Sequence, residues 1–203
     1  IRAGAYVLPG EAVTGELAQR LSRAERPLLV AGPEAVRASE SVAVFALARA
    51  GGIPILADIA SGLRSGCVPP GVVRCSHADL FLRDEAIASL APDFVIRLGG
   101  IPTSKTVATW FARHRPEVVA IQPDARRRDP DGIVTRVIEG PAAATCEAIA
   151  EKVRANPSAS EWASLLALAE EGARALAARA PAEAMALVEA ASALPAGGAL
   201  FLS

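Results

Sequence analysis

The 203 residues predict an open, all-parallel α/β sheet of Rossmann-like type, about five to six strands flanked by helices. Three observations carry this. Short aliphatic runs recur along the chain, and none alternates apolar with polar residues, as strands covered on both faces require. Segments with apolar residues at helical spacing lie between them. Several runs end in Gly, Pro or Asp, the punctuation of a strand-to-helix turn. Right-handed crossovers follow from that alternation.

Residues 1–25 read as a lead-in linker, punctuated by Pro9-Gly10 and carrying a short helical pattern around Leu17 and Leu21. The run "PLLVAG" at 27–32 is the first strand. Val42, Phe45, Ala46 and Ala50 lie at helical spacing over 38–50, and Gly51-Gly52 ends that helix. "IPILAD" is the second strand, and the roughly twenty residues from Asp58 to Asp79 form a loop long enough to be functional or mobile. A helix over 80–90, the strand "DFVIRLGG", a helix over 103–113, the strand "EVVAIQ", a fifth strand "IVTRVIEG" and a helix over 142–155 complete the pattern.

After Asn156-Pro157 the texture changes. Trp162, Leu165, Leu166, Ala169, Ala173 and Leu176 form one helical stripe, and Pro181 opens a second helix with Leu187 and Val188 on one face. The first of these helices either packs on the sheet before it or leads into a following domain. The end, "LPAGGALFLS", reads as a strand that is just beginning, so a piece of a longer chain is expected. The expected division is a linker at 1–25, a central Rossmann-like domain at 26–157, and at 158–203 two helices and a strand entering a further domain.

Composition narrows the function classes. Hydrophobic residues make up 52%, much of it alanine, and aromatics only 4%, which gives a globular chain with a small-residue, aliphatic core. A net charge of −1 gives no electrostatic basis for nucleic acid as a partner. No apolar run approaches the ~20 residues of a membrane span. Cys67, Cys75 and Cys146 are too few and too irregularly spaced for a disulfide framework or a zinc site, so free thiols in a cytoplasmic setting are expected. His77 and His114 have no partner at metal-ligand spacing and read as surface residues.

Ligands of open parallel sheets gather at the carboxyl ends of the strands. Gly32-Pro33-Glu34 lacks the spaced glycines of a dinucleotide fingerprint. Asp58, Ser61 and Arg64 open the long loop. The stretch "GGIPTSKT", Gly99 to Thr106, is one residue short of a phosphate loop. Ser104 stands where that loop needs glycine, and Pro102 has no N–H to donate, so nucleotide hydrolysis is not expected. Thr103 or Ser104 caps a helix whose amino end is partially positive, and Lys105 adds a full charge in its first turn. A cation is ordinarily unfavourable there, so either an anion such as a carboxylate lies nearby or the lysine is simply solvated. Arg126, Arg127 and Arg128 read as a solvated loop, and Asp129-Pro130-Asp131-Gly132 as a turn.

Taken in order, "RPLLVAGPE", "GIPILADIASGLRSG", "DLFLRDE", "PDFVIRLGGIPTSKTVATW" and "LPAGGALFLS" resemble the central part of the 2-succinyl-5-enolpyruvyl-6-hydroxy-3-cyclohexene-1-carboxylate synthase family. These are thiamine-diphosphate-dependent transferases of menaquinone biosynthesis. The resemblance covers residues 26–203 and implies the middle one of three α/β domains. It implies that the parent enzyme decarboxylates 2-oxoglutarate and adds the four-carbon unit to isochorismate, as a homodimer or homotetramer with thiamine diphosphate and Mg²⁺. The cofactor-activating glutamate and the Gly-Asp-Gly metal motif of the family lie in the other two domains, so no catalytic, cofactor or metal residue is expected here, and the piece alone is expected to be inert. Pro102-Thr103-Ser104-Lys105 matches the family's Pro-x-Ser-Lys, whose lysine is thought to bind a substrate carboxylate, which makes Lys105 and Ser104 the expected substrate-binding residues. Asp58, Ser61 and Arg64 match a family loop near the same cleft with less force, because Ile59-Ala60 replaces its usual Pro-Leu. Two other readings stand beside this one: the equivalent domain of another thiamine-diphosphate enzyme, such as acetolactate synthase, and a stand-alone nucleotide-binding module.

Overall fold

Six parallel strands form one sheet in the order β3-β2-β1-β4-β5-β6. The strands are β1 (Pro27–Ala31), β2 (Ile55–Ala57), β3 (Arg74–Cys75), β4 (Phe94–Leu98), β5 (Glu117–Gln122) and β6 (Val134–Glu139). The computed structural model describes residues 7–124, 129–179, 182–195 and 198. The Arg126–Arg128 run and the expected closing strand at 199–203 lie outside them.

Every residue of β1, β2 and β4 is buried, which accounts for their unbroken apolar sequences. Register runs Leu29 opposite Ile55 and Ile96, with Ile96 opposite Val119 in turn. Two cores result, one on each face. On one, Leu29, Ile55 and Ile96 meet α1 (Glu11–Arg23), α2 (Ser41–Gly51) and α6 (Ala142–Ala150) through Leu17, Leu21, Leu47 and Ile149. On the other, Leu28, Val30 and Val95 meet Phe81 of α3 (Ala78–Phe81), Trp110 and Phe111 of α5 (Lys105–His114), and Trp162 and Leu166 of α7 (Pro157–Ala177).

The segment expected as a lead-in therefore carries a 13-residue helix whose Leu17 and Leu21 are each 1% exposed. The helix after Asn156 likewise packs on this sheet, the first of its two sequence readings. Asn156 builds that junction. Its Oδ1 caps α7 by accepting from the Ala159 N–H, and its Nδ2 donates to the carbonyls of Ser22 and Ala24. A further helix, α8 (Ala182–Ser192), follows.

Three expectations need correcting. The helix expected over 80–90 is two single turns, α3 and α4 (Glu85–Ala88), because the Asp84 carboxylate accepts from the Ala86 N–H and starts a new turn. The helix expected to reach 155 ends at Ala150. The long loop after Asp58 contains β3, whose two residues pair with Ile55 and Leu56 of β2. The two histidines are also not plain surface groups. The Nδ1 of His77 lies 2.8 Å from Glu170 Oε1 on α7, and the Nε2 of His114 lies 2.8 Å from the Ala88 carbonyl.

Candidate functional site

Strand order reverses between β1 and β4, and in open sheets of this type a dinucleotide lies in the crevice at that switch point. Here the loops after β1 and β4 meet backbone to backbone. A Cβ on Gly32 would stand 2.0 Å from the Gly100 carbonyl oxygen. Gly99 takes φ +71°, and a Cβ there would stand 2.6 Å from Ala35 Cα. The Gly100 N–H donates to the Pro33 carbonyl at 2.8 Å, closing the two loops on each other. That contact locks the β1 and β4 loops together at the switch point.

Polar groups gather instead to one side, over the carboxyl ends of β1 and β2. Ala31, Ala57, Asp58, Arg64, Ser76, Asp79, Thr103 and Ser104 are among the residues lining a cleft with about 40 Å³ of enclosed room. That holds little more than water. Beyond Asp79 the surface opens into a groove of about 550 Å³, lined among others by Arg83, Glu85, Lys105 and Arg113.

The sequence "IPTSKT" folds locally as expected. Ser104 is the N-cap of α5, its hydroxyl oxygen accepting from the Val107 N–H at 3.1 Å. The Ser104 hydroxyl donates to Asp79 Oδ1 at 2.6 Å. Asp58 Oδ2 accepts twice from Thr103, from the N–H at 2.7 Å and the hydroxyl at 2.8 Å. Asp58 Oδ1 accepts from the Ala60 N–H, and the Asp58 N–H donates to the Ala31 carbonyl, so its backbone continues the sheet pairing.

Lys105 is exposed on the first turn and faces the outer groove rather than the inner cleft. Among the described residues it has no hydrogen-bonded or ionic partner. Arg113 is engaged, with a bidentate pair to Glu85, and its guanidinium holds the Glu85 carboxyl below the ordinary range through hydrogen bonding first and charge second. Arg83 donates from Nε to the Asp79 carbonyl.

The sequence-expected residues thus fall into two groups. Ser104, Asp58 and Arg64 share the inner cleft, and Lys105 lies just outside it. Ser61 is fully buried; its hydroxyl donates to the Asp58 carbonyl and accepts from the Leu63 N–H, which spends it on loop structure. Arg64 has no partner among the described residues. Sequence reasoning passed over Asp79, whose role depends on a contact with Ser104 across 25 residues. It also passed over Arg97, which is only 3% exposed within β4. A lone arginine inside "FVIRL" was the available signal for the second.

The α5 amino end does not form a diphosphate cradle. The Thr103 N–H is already taken by Asp58, Pro102 offers none, and two carboxylates stand beside the α5 amino end. Nor do three or more His, Cys, Asp or Glu side chains converge as metal ligands among the described residues.

The family described as "Middle domain of thiamine pyrophosphate" matches residues 11–202. The chain belongs to the thiamine pyrophosphate middle-domain family. As such a middle domain it is similar to three proteins each named 2-succinyl-5-enolpyruvyl-6-hydroxy-3-cyclohexene-1-carboxylate synthase. The one from Sorangium cellulosum is 36% identical, over 88% of this chain and 31% of that protein. Those from Geobacillus kaustophilus and Rubrobacter xylanophilus are each 37% identical, over 80% and 85% of this chain and 28% and 30% of theirs. The middle domain spans about three tenths of the length of these curated relatives.

Proposed function

We propose that this chain is the central domain of a thiamine-diphosphate-dependent synthase. The parent enzyme decarboxylates 2-oxoglutarate and adds the resulting four-carbon unit to isochorismate, in menaquinone biosynthesis. The observation that carries the reading is the shared name of relatives 36% and 37% identical across four-fifths or more of the chain. Thiamine diphosphate and Mg²⁺ serve the full-length enzyme, and the residues that hold them belong to its other domains. The parent is a cytoplasmic homo-oligomer, and residues after α7 lead toward the cofactor-binding domain. No described helix is long and apolar enough to cross a membrane.

The middle domain contributes a carboxylate-binding edge. Lys105, on the first turn of α5 and without a partner among the described residues, offers its ammonium to a substrate carboxylate, and the helix amino end adds a partial charge of the same sign. Ser104 caps that helix at the cleft, and Arg64 borders the same cleft as a second cation. In the full-length enzyme, Lys105→Ala is expected to raise KM for isochorismate more than KM for 2-oxoglutarate, by about tenfold for a lost charge-assisted bond. An unchanged isochorismate KM would remove Lys105 from the site.

A further inference from the structure

We infer that Asp58 and Asp79 are positioning residues that fix the Thr103–Lys105 turn from two other elements, and that neither binds substrate itself. The inference rests on the reading of Lys105 as the carboxylate-binding group. Each carboxylate is engaged within the fold. Asp58, at the end of β2, receives the N–H and hydroxyl of Thr103 on Oδ2 and the Ala60 N–H on Oδ1. Asp79, in the first turn of α3, receives the Ser104 hydroxyl on Oδ1. Ser104 is thereby oriented, with its proton toward Asp79 and a lone pair toward the Val107 N–H.

The anchors are themselves fixed. The Asp58 N–H is bonded to the β1 carbonyl of Ala31, and its own carbonyl holds Ser61. Asp79 follows His77 by two residues, and both the N–H and the ring Nδ1 of His77 meet the Glu170 carboxylate of α7. The two residues before Lys105 are thus tied to β2 and to α3. The long lysine side chain then starts from a fixed backbone, which lowers the entropy lost when it meets a ligand.

Electrostatics separates positioning from the alternatives. Two negative groups beside a lysine that takes an anion oppose that anion by Coulomb repulsion. If they acted only through their field, neutralising them would tighten substrate binding. If they act by holding the turn, neutralising them loosens it. The two roles predict opposite signs.

The test uses steady-state kinetics of the full-length enzyme. Asp58→Ala is expected to raise KM for isochorismate about tenfold, with a smaller fall in kcat and no change in KM for 2-oxoglutarate. Asp58→Asn, which keeps an oxygen for Thr103 but presents N–H against N–H at Ala60, is expected to fall between Ala and wild type. Asp79→Ala and the milder Thr103→Val are expected to move KM in the same direction, and they keep the test available if Asp58→Ala does not fold. In a Lys105→Ala background none of these changes should raise KM further, because their effect passes through Lys105. A lower or unchanged KM in Asp58→Asn and Asp79→Ala overturns the proposal. An equal KM rise with and without Lys105 means that Asp58 meets substrate directly, which overturns positioning while leaving the Lys105 reading intact. If Lys105→Ala alone leaves isochorismate KM unchanged, that reading fails and the positioning role fails with it.

Discussion

At the scale of single residues, the cysteines give the clearest chemistry. Burial, with the Glu147 charge second, pushes the Cys146 thiol up to about 12, and burial with Glu170 pushes Cys75 up as well. Cys67 is exposed. A thiol reagent at pH 8 is therefore expected to modify one cysteine per native chain and three after denaturation, counted by mass. Two rapid equivalents in the native protein would contradict the burial of Cys75 and Cys146. The same shifts set a pH dependence. Above the ordinary thiol value of 9.0 the unfolded chain releases these protons while the folded one keeps them. Their contribution is fully present below that value and is lost as pH rises toward 12. Urea midpoints are expected to fall between pH 8.5 and 10.5, and to fall less in Cys146→Ala compared with its own value at the lower pH. Ser104→Ala removes the N-cap of α5 and is expected to cost about 1 kcal/mol of stability, read from the same titrations.

Elements show how the two faces of the sheet are completed. Trp110 of α5 stacks on Phe111 with ring centroids 5.3 Å apart and donates its indole N–H to the Leu90 carbonyl, which ties the helix to the end of the α3–α4 segment. Leu166 of α7 is fully buried in the same core. Leu166→Ala is expected to destabilise by about 2–5 kcal/mol, the cost of a cavity in a close-packed site, as measured by chemical denaturation. A loss below about 1 kcal/mol would show that α7 rests loosely on the sheet. The crossed loops at the switch point behave differently, because backbone meets backbone there and cannot rotate away. Gly32→Ala would place a methyl group 2.0 Å from the Gly100 oxygen, so a loss above about 3 kcal/mol is expected, larger than for most single substitutions.

For the whole molecule, the question is whether α1 and α7 belong to the same cooperative unit as the strands. Asn156 joins the end of α1 to the start of α7, and each helix covers one face. Ending the chain at residue 156 would uncover Phe81 and Leu80 of α3 and Cys75 of β3, which lie against α7. Such a shortened chain is expected to bind a hydrophobic dye and to lose sharp thermal unfolding, whereas one ending at residue 179 keeps both native properties. Sharp unfolding of the chain ending at 156 would place the domain boundary before α7.

Much of this arrangement is legible in the sequence. The runs "PLLVA", "FVIRL" and "EVVAIQ" are mostly apolar because both faces of each strand are covered, and a covered parallel strand leaves that trace in any window read along the chain. A cap at Thr103 or Ser104 could be named because a cap is a local event, and the structure gives it to Ser104, which accepts from an N–H three residues away. Lys105 stood out because its charge opposes the end of the helix on which it sits. What the sequence could not give were the long-range partners. Asp79 reaches Ser104, Asp58 reaches Thr103, and Glu170 reaches His77 only after the chain has crossed the sheet. The break at Asp84 was hidden because helical spacing persists through it, and β3 because two residues carry no periodicity. The sequence by itself determined the fold class, the strand positions and the cationic amino end of α5, since each arises from neighbours within a turn or a strand. Only the tertiary structure decided that the loops after β1 and β4 close on each other and that two distant carboxylates bond the turn before the lysine, because hydrogen bonds and close contacts between distant segments exist only once packing has brought them together.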